Sequence, residues 1–219
     1  MNVALKCLLG WSIWLGAATE LSAQHVGGSY ARTASTVDWQ YPAPPAGCDS
    51  CISDAEPNAG RHATALGIVA QWHVDRWFGA ASEIRFTPKG FAVSQPTLAV
   101  DYLEIPLLLR VGRLVHQSVT VSPFAEAGPA IAFRTTCRVR YNSTSEGCYN
   151  GAAFGQDWRI RRLDVTAVAG VGVALHVHGN LLMAGERVDW GLRHIGGAEG
   201  VPTKHRSLLT YVSWMVPLP

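Results

Sequence analysis

From Tyr102 to Val111 the chain alternates strictly between two kinds of side chain. Leu103, Ile105, Leu107, Leu109 and Val111 are all aliphatic, while the intervening Tyr102, Glu104, Pro106, Leu108 and Arg110 carry two opposite charges. A period of two predicts a β-strand, because successive side chains point to opposite sides of a sheet. The same pattern recurs along the chain. It predicts eight strands, at about residues 24–34, 62–73, 77–88, 98–112, 119–134, 162–177, 180–194 and 206–218. The second sets Leu66, Ile68, Ala70 and Trp72 against Gly67, Val69, Gln71 and His73. The third sets Phe78, Ala80, Ile84 and Phe86 against Ala81, Glu83, Arg85 and Thr87. The fifth sets Ala125, Ala127, Ile131 and Phe133 against Glu126, Gly128 and Arg134. The sixth sets Val165 through Leu175, at odd positions, against Asp164, Thr166, Gly170, Gly172 and His176. The seventh sets Val188, Trp190 and Leu192 against Arg187, Asp189, Gly191 and Arg193, with Glu186 falling on the apolar face. The first stretch alternates weakly, and the last has no clear polar face.

A soluble sheet turns its aliphatic face to a core, whereas a membrane barrel turns it to lipid and its charges to the lumen. The connections bear on that choice. Val74-Asp75-Arg76, Gly112 to Ser118 and His178-Gly179-Asn180 are short; Ala34 to Arg61, Pro88 to Thr97, Thr135 to Arg161 and Gly196 to His205 are longer. Short turns at one end and long loops at the other mark an outer-membrane barrel. An even strand number then leaves both termini at the short-turn end. Trp72, Trp77 and Trp214 would form one interfacial girdle, and Phe86, Phe133 and Trp190 the other.

The N-terminus agrees. Lys6 precedes an apolar run from Cys7 to Ala18, and Leu21-Ser22-Ala23 resembles a cleavage site, so residues 1–23 are expected to be a cleaved signal peptide. The mature domain, 24–219, would be an all-β, eight-stranded antiparallel up-and-down transmembrane β-barrel with long extracellular loops, placed in the cell outer membrane with lipid as its surroundings. No later stretch reaches 18 uninterrupted apolar residues, as a transmembrane helix would. The signal removes one Lys and one Glu, leaving the formal charge at +2, which argues against a nucleic-acid partner.

Several segments resemble the PorT-like outer-membrane β-barrel family. They are Ser82-Glu83-Ile84-Arg85-Phe86-Thr87-Pro88-Lys89-Gly90-Phe91, the stretch from Tyr102 to Arg110, Pro123-Phe124-Ala125-Glu126-Ala127-Gly128-Pro129, and Gly185-Glu186-Arg187-Val188-Asp189-Trp190-Gly191-Leu192. With the closing strand they span most of the chain from about residue 62 onward. The resemblance implies an eight-stranded membrane barrel and, for its namesake members, a part in protein secretion. The chain departs from that pattern in ending Pro217-Leu218-Pro219 and in its cysteine-bearing loops.

The candidate chemistry is mostly charge. Glu83, Arg85, Glu104, Arg110, Glu126, Arg187 and Asp189 share the face opposite lipid and are expected to pair in the lumen, because buried charges must be paired. An eight-stranded barrel is just wide enough for its own side chains, so this network would be a plug. Cys48, Cys51, Cys137 and Cys148 remain after signal cleavage and allow two disulfides in three connectivities. The local pairs Cys48–Cys51 and Cys137–Cys148 close the shortest loops; a four-cysteine metal site or a redox motif is the competing reading. His176 and His178 have chelating spacing but no third ligand nearby, and Asn142-Ser143-Thr144 matches a glycosylation acceptor. No nucleophile, phosphate-loop or zinc-protease motif is present. No enzyme, cofactor or resident metal is therefore expected. The competing classes are a soluble lipocalin-like binding barrel and an outer-membrane enzyme drawing on Asp38, His62, Asp101 and His194. A protein partner would meet the extracellular loops.

Overall fold

A computed structural model describes residues 24–39, 60–92, 97–112, 119–141, 144–147, 160–194 and 203–219. The strands are β1 (His25–Trp39), β2 (Arg61–His73), β3 (Phe78–Ala92), β4 (Thr97–Gly112), β5 (Val119–Tyr141), β6 (Thr144–Gly147), β7 (Leu163–Val177), β8 (Asn180–Gly191) and β9 (Thr203–Pro217). All pairings are antiparallel. The ladder runs β4-β3-β2-β1-β9-β8-β7-β5, and β4 pairs with β5 to close it. Eight strands thus form an up-and-down barrel with no free edge, while β6 only folds back on the end of β5.

The alternation explains which way the barrel faces. On β4, Tyr102, Glu104, Leu108 and Arg110 are buried in the lumen, whereas Leu103, Leu107, Leu109 and Val111 are exposed outside. Leu66, Ile68, Ile84, Val121, Val171 and Val212 are likewise exposed on the outer wall. Leu103 and Leu107 do not line a cavity, so the lipocalin-like alternative is corrected: that fold would need them inward. Trp77 and Trp214 project outward near the short-turn end, and Phe86, Phe133 and Trp190 nearer the other.

The turns at one end have identifiable causes. Between β2 and β3, Asp75 Oδ1 accepts hydrogen bonds from the backbone N–H groups of Trp77 (2.6 Å) and Phe78 (2.8 Å). Between β7 and β8 only His178 and Gly179 intervene. Both take positive φ, 49° and 84°, as a two-residue hairpin turn matched to strand twist requires. His178 is thus a turn residue, as the short connection His178-Gly179-Asn180 predicts, and does not share a strand face with His176.

At the other end the strands outrun their expected limits. β1 continues to Trp39, β3 to Ala92 and β5 to Tyr141, while β8 stops at Gly191. Apolar outward positions marked only the lipid-facing part; the ladder continues wherever a neighbouring strand offers hydrogen bonds. A β-bulge divides the two parts. Tyr102 pairs with Arg134 but Asp101 pairs with Thr136, leaving Thr135 as the extra residue. Its hydroxyl donates to the Asp101 carbonyl at 3.0 Å, and the Thr136 hydroxyl donates to the Asp101 carboxylate at 2.5 Å. One extra residue exchanges the faces of everything beyond it. Below the bulge Glu126 points inward. Above it Cys137 and Val139 do, packing the interior along with Leu98 and Val100 on β4, while Arg138 and Arg140 are exposed. The barrel is therefore inside-out in its lipid-facing part and built like a soluble sheet above it.

Candidate functional site

The interior of the lipid-facing part, continuing just past the level of the bulge, is an ion-pair network. Its cations come from Arg85 and Lys89 on β3, Arg110 on β4 and Arg187 on β8. Its carboxylates come from Glu83 on β3, Glu104 on β4, Glu126 on β5, Asp164 on β7 and Asp189 on β8. All are buried. Period two puts Glu83, Arg85, Thr87 and Lys89 on one face of one strand, and cross-strand neighbours supply the partners.

Glu126 is the hub of the lower half. It accepts hydrogen bonds from Arg110 Nε (2.9 Å), Arg187 Nε (2.5 Å) and the Tyr211 hydroxyl (2.8 Å). Arg187 also donates to Glu83 Oε2 at 2.7 Å, and its guanidinium stands 4.1 Å from the Tyr211 ring centroid. Ser29 donates to the other oxygen of Glu83. Arg110 donates to the Gln71 side-chain carbonyl and lies 5.5 Å from the Phe124 ring centroid. Cation–π contacts of this kind strengthen where water is excluded.

The upper half is centred on Arg85. It donates to Glu104 Oε2 at 2.8 Å and to Asp189 Oδ2 at 2.9 Å, and its Nε donates to the Thr87 hydroxyl at 3.0 Å. Lys89 pairs with the second oxygen of Glu104. The chain of polar groups continues from Lys89 Nζ to His205 Nε2 (2.8 Å) and from His205 Nδ1 to Asp164 Oδ2 (3.1 Å). Small inward residues such as Ala31, Ala65, Ala81, Ala130 and Ala174 leave room for the long side chains. Nothing here is poised as a nucleophile. The arrangement fills the lumen with four cations and five carboxylates that pair with one another and with His205.

All seven lumen residues singled out in the sequence, Glu83, Arg85, Glu104, Arg110, Glu126, Arg187 and Asp189, fall in this network. Lys89, Asp164, His205, Tyr211 and Gln71 were missed. The sequence pattern alone puts Lys89 and His205 in the connections Pro88 to Thr97 and Gly196 to His205. Running the alternation of Glu83, Arg85 and Thr87 one step further would have found Lys89.

The other sequence candidates disperse. His176 lies in the lumen at the short-turn end, with its ring centroid 6.5 Å from that of His73, while His178 is exposed in the turn. Among the described residues no group of three or more His, Cys, Asp or Glu is placed to hold a metal. Asp101 is engaged by the bulge and by Arg61 at 3.5 Å. His62 and His194 are exposed, and neither has a hydrogen bond or ion pair to Asp101. His194 lies beyond the end of β8 and not, as expected, on the strand. Cys137 is buried and disulfide-bonded. Cys48, Cys51, Cys148, Asn142, Ser143 and residues 1–23 lie outside the described residues, as does the side chain of Asp38.

No protein-family model matches the chain, and no curated protein matches it. Solved structures do. Neisserial surface protein A is 13% identical over 90% of this chain and 98% of its own, with a TM-score of 0.53. The outer membrane protein OprG of Pseudomonas aeruginosa is 11% identical over 89% of this chain and 94% of its own, with a TM-score of 0.45. The Yersinia pestis attachment invasion locus protein, Ail, is 10% identical over 89% and 99%, with a TM-score of 0.44. The likeness to the Neisserial protein is the one that supports the fold. By that fold and by the chemistry of its two faces, the chain is a small outer-membrane β-barrel.

Proposed function

We propose that the protein is a closed, non-enzymatic outer-membrane anchor that presents its extended loop end to a protein partner outside the cell. The observation that carries this reading is the contrast between its two ends. The membrane part is filled by buried, paired charges, which in this reading closes it to solutes. The part above the Thr135 bulge has its own small core of Leu98, Val100, Cys137 and Val139, which would hold the long loops as a rigid platform. In this reading residues 1–23 are removed on export. The remaining cysteines pair locally, Cys48 with Cys51 and Cys137 with Cys148, in the oxidising space where the loops stand. A supporting role in secretion, as in the PorT-like proteins the sequence resembles, is one form this partner binding would take.

Fractionation and conductance test the proposal together. The protein should be recovered with outer membranes and released only by detergent, and it should give no single-channel currents in planar bilayers. Crosslinking in intact cells should capture a partner through the loops, and replacing residues 142–159 with a short Gly-Ser linker should abolish that capture while leaving the barrel folded. Recovery in the soluble periplasm, or a stable ion conductance, would overturn the reading.

A further inference from the structure

Among the described residues, charges break the apolar outer wall between the two girdles in one place. Arg32 on β1 and Glu186 on β8 both point outward, and both are cross-strand partners of Thr210 on β9, which also points outward. Their flanking outward neighbours are apolar: Tyr30 on β1, Leu208 and Val212 on β9, Ala184 and Val188 on β8. Neither charge makes a hydrogen bond or ion pair with any described residue.

Depth makes this unusual. Glu186 is four positions along β8 from Trp190, and Thr210 is four along β9 from Trp214. These two tryptophans stand at opposite interfaces. With about 3.3 Å per residue and strands tilted by about 40°, the row lies about 10 Å from either girdle, near the bilayer midplane. Charges there are costly and are found where they meet a partner. Lipid headgroups lie at the interfaces, beyond the reach of a glutamate at this depth.

We infer that the wall formed by β1, β9 and β8 is a homodimer interface within the membrane, in which Arg32 of each copy pairs with Glu186 of the other. Charge complementarity identifies the occupant as a second copy of this chain. The patch has a positive end and a negative end on either side of Thr210, so it is its own complement under a two-fold rotation. The axis must run along the membrane normal, because both copies insert the same way up, and it passes beside Thr210. Arg32 and Glu186 are two strands apart, about 9.6 Å. The strand tilt separates them in depth by about 6 Å, which an arginine side chain spans. Ala184, Ala34 and Gly28 on the same wall let two barrels approach closely. The inference rests on the barrel standing in a bilayer, so membrane recovery is scored separately in the same samples.

The test is disulfide crosslinking in isolated outer membranes. Thr210→Cys, beside the axis, should give a dimer on non-reducing gels. The unaltered chain, and Leu107→Cys on β4 away from this wall, should not. Adding Glu186→Gln to Thr210→Cys removes the charge without burying a new one, and should lower the dimer yield by about tenfold. The exchange of Arg32→Glu with Glu186→Arg should restore it, with heat-modifiable gel mobility showing that each variant is folded. An absent dimer for Thr210→Cys, equal crosslinking at Leu107→Cys, or a Glu186→Gln yield equal to that of its parent would each overturn the interface. A pairing of Arg32 with Glu186 inside one chain would appear as the first of these.

Discussion

Replacing Glu126 with glutamine should destabilise the barrel more than any other single neutral substitution on its wall. The carboxylate serves two guanidinium groups and the Tyr211 hydroxyl at once. The glutamine amide keeps the shape but offers one acceptor where there were two, and it turns an N–H₂ toward arginines that are themselves donors. Hydrogen bonds to charged groups are worth about 1.5–3 kcal/mol each, so losing all three would cost about 4.5–9 kcal/mol. Arg187 keeps Glu83, however, and Arg110 keeps Gln71. The net loss should therefore fall in the range for breaking a buried pair, about 3–5 kcal/mol. With a urea slope of about 2 kcal/mol per molar, the unfolding midpoint should drop by about 2 M. The assay is urea unfolding of the refolded protein in lipid vesicles, followed by tryptophan fluorescence. Arg140→Gln is the control, since it removes an exposed charge above the membrane part and should not lower the midpoint. An unfolding free energy for Glu126→Gln within about 1 kcal/mol of the unaltered protein's would refute the reasoning, because exposed ion pairs contribute up to about that much.

Three further outcomes follow from other parts of the barrel. Leu107→Arg puts a charge on the lipid face and should cost about 2–4 kcal/mol in the same vesicles. His178→Val should cost about 1–2 kcal/mol, because a β-branched residue resists the positive φ, while His178→Gly should cost nothing; urea midpoints separate the two. Deleting Thr135 should turn position 138 from outside to inside, so a cysteine replacing Arg138, reactive to maleimide in intact membranes with Thr135 present, should lose that reactivity on the deletion while the barrel stays heat-modifiable.

The membrane part was legible because lipid imposes one rule on every strand. An apolar outer face between short turns and long loops announced the barrel, and the opposite faces announced Glu83, Arg85, Glu104, Arg110, Glu126, Arg187 and Asp189. Where lipid ends, that rule lapses. Lys89 and His205 were passed over because the strands carrying them lose their apolar outer positions before the inner ones stop mattering. The Thr135 bulge left no mark in composition, since a threonine suits a strand; only the cross-strand register reveals it. Asp164 lies on the polar face of its strand, but its contact with His205 joins strands distant in sequence. Glu186 was visible as an exception to its face, yet its meaning depends on Arg32, which becomes its neighbour only when β1 closes against β9.

The bulge also works as a shift of reading frame. Below it, odd positions of β5 answer to lipid; above it, odd positions answer to a water-excluded core. The two regions are thus written in different alphabets on one strand, and a change in one need not be legible in the other. Loops beyond Tyr141 can be exchanged, lengthened or diversified without rewriting the membrane wall, provided the parity set at Thr135 is kept. A single inserted residue is thus the joint between two regions of one strand that obey opposite facing rules.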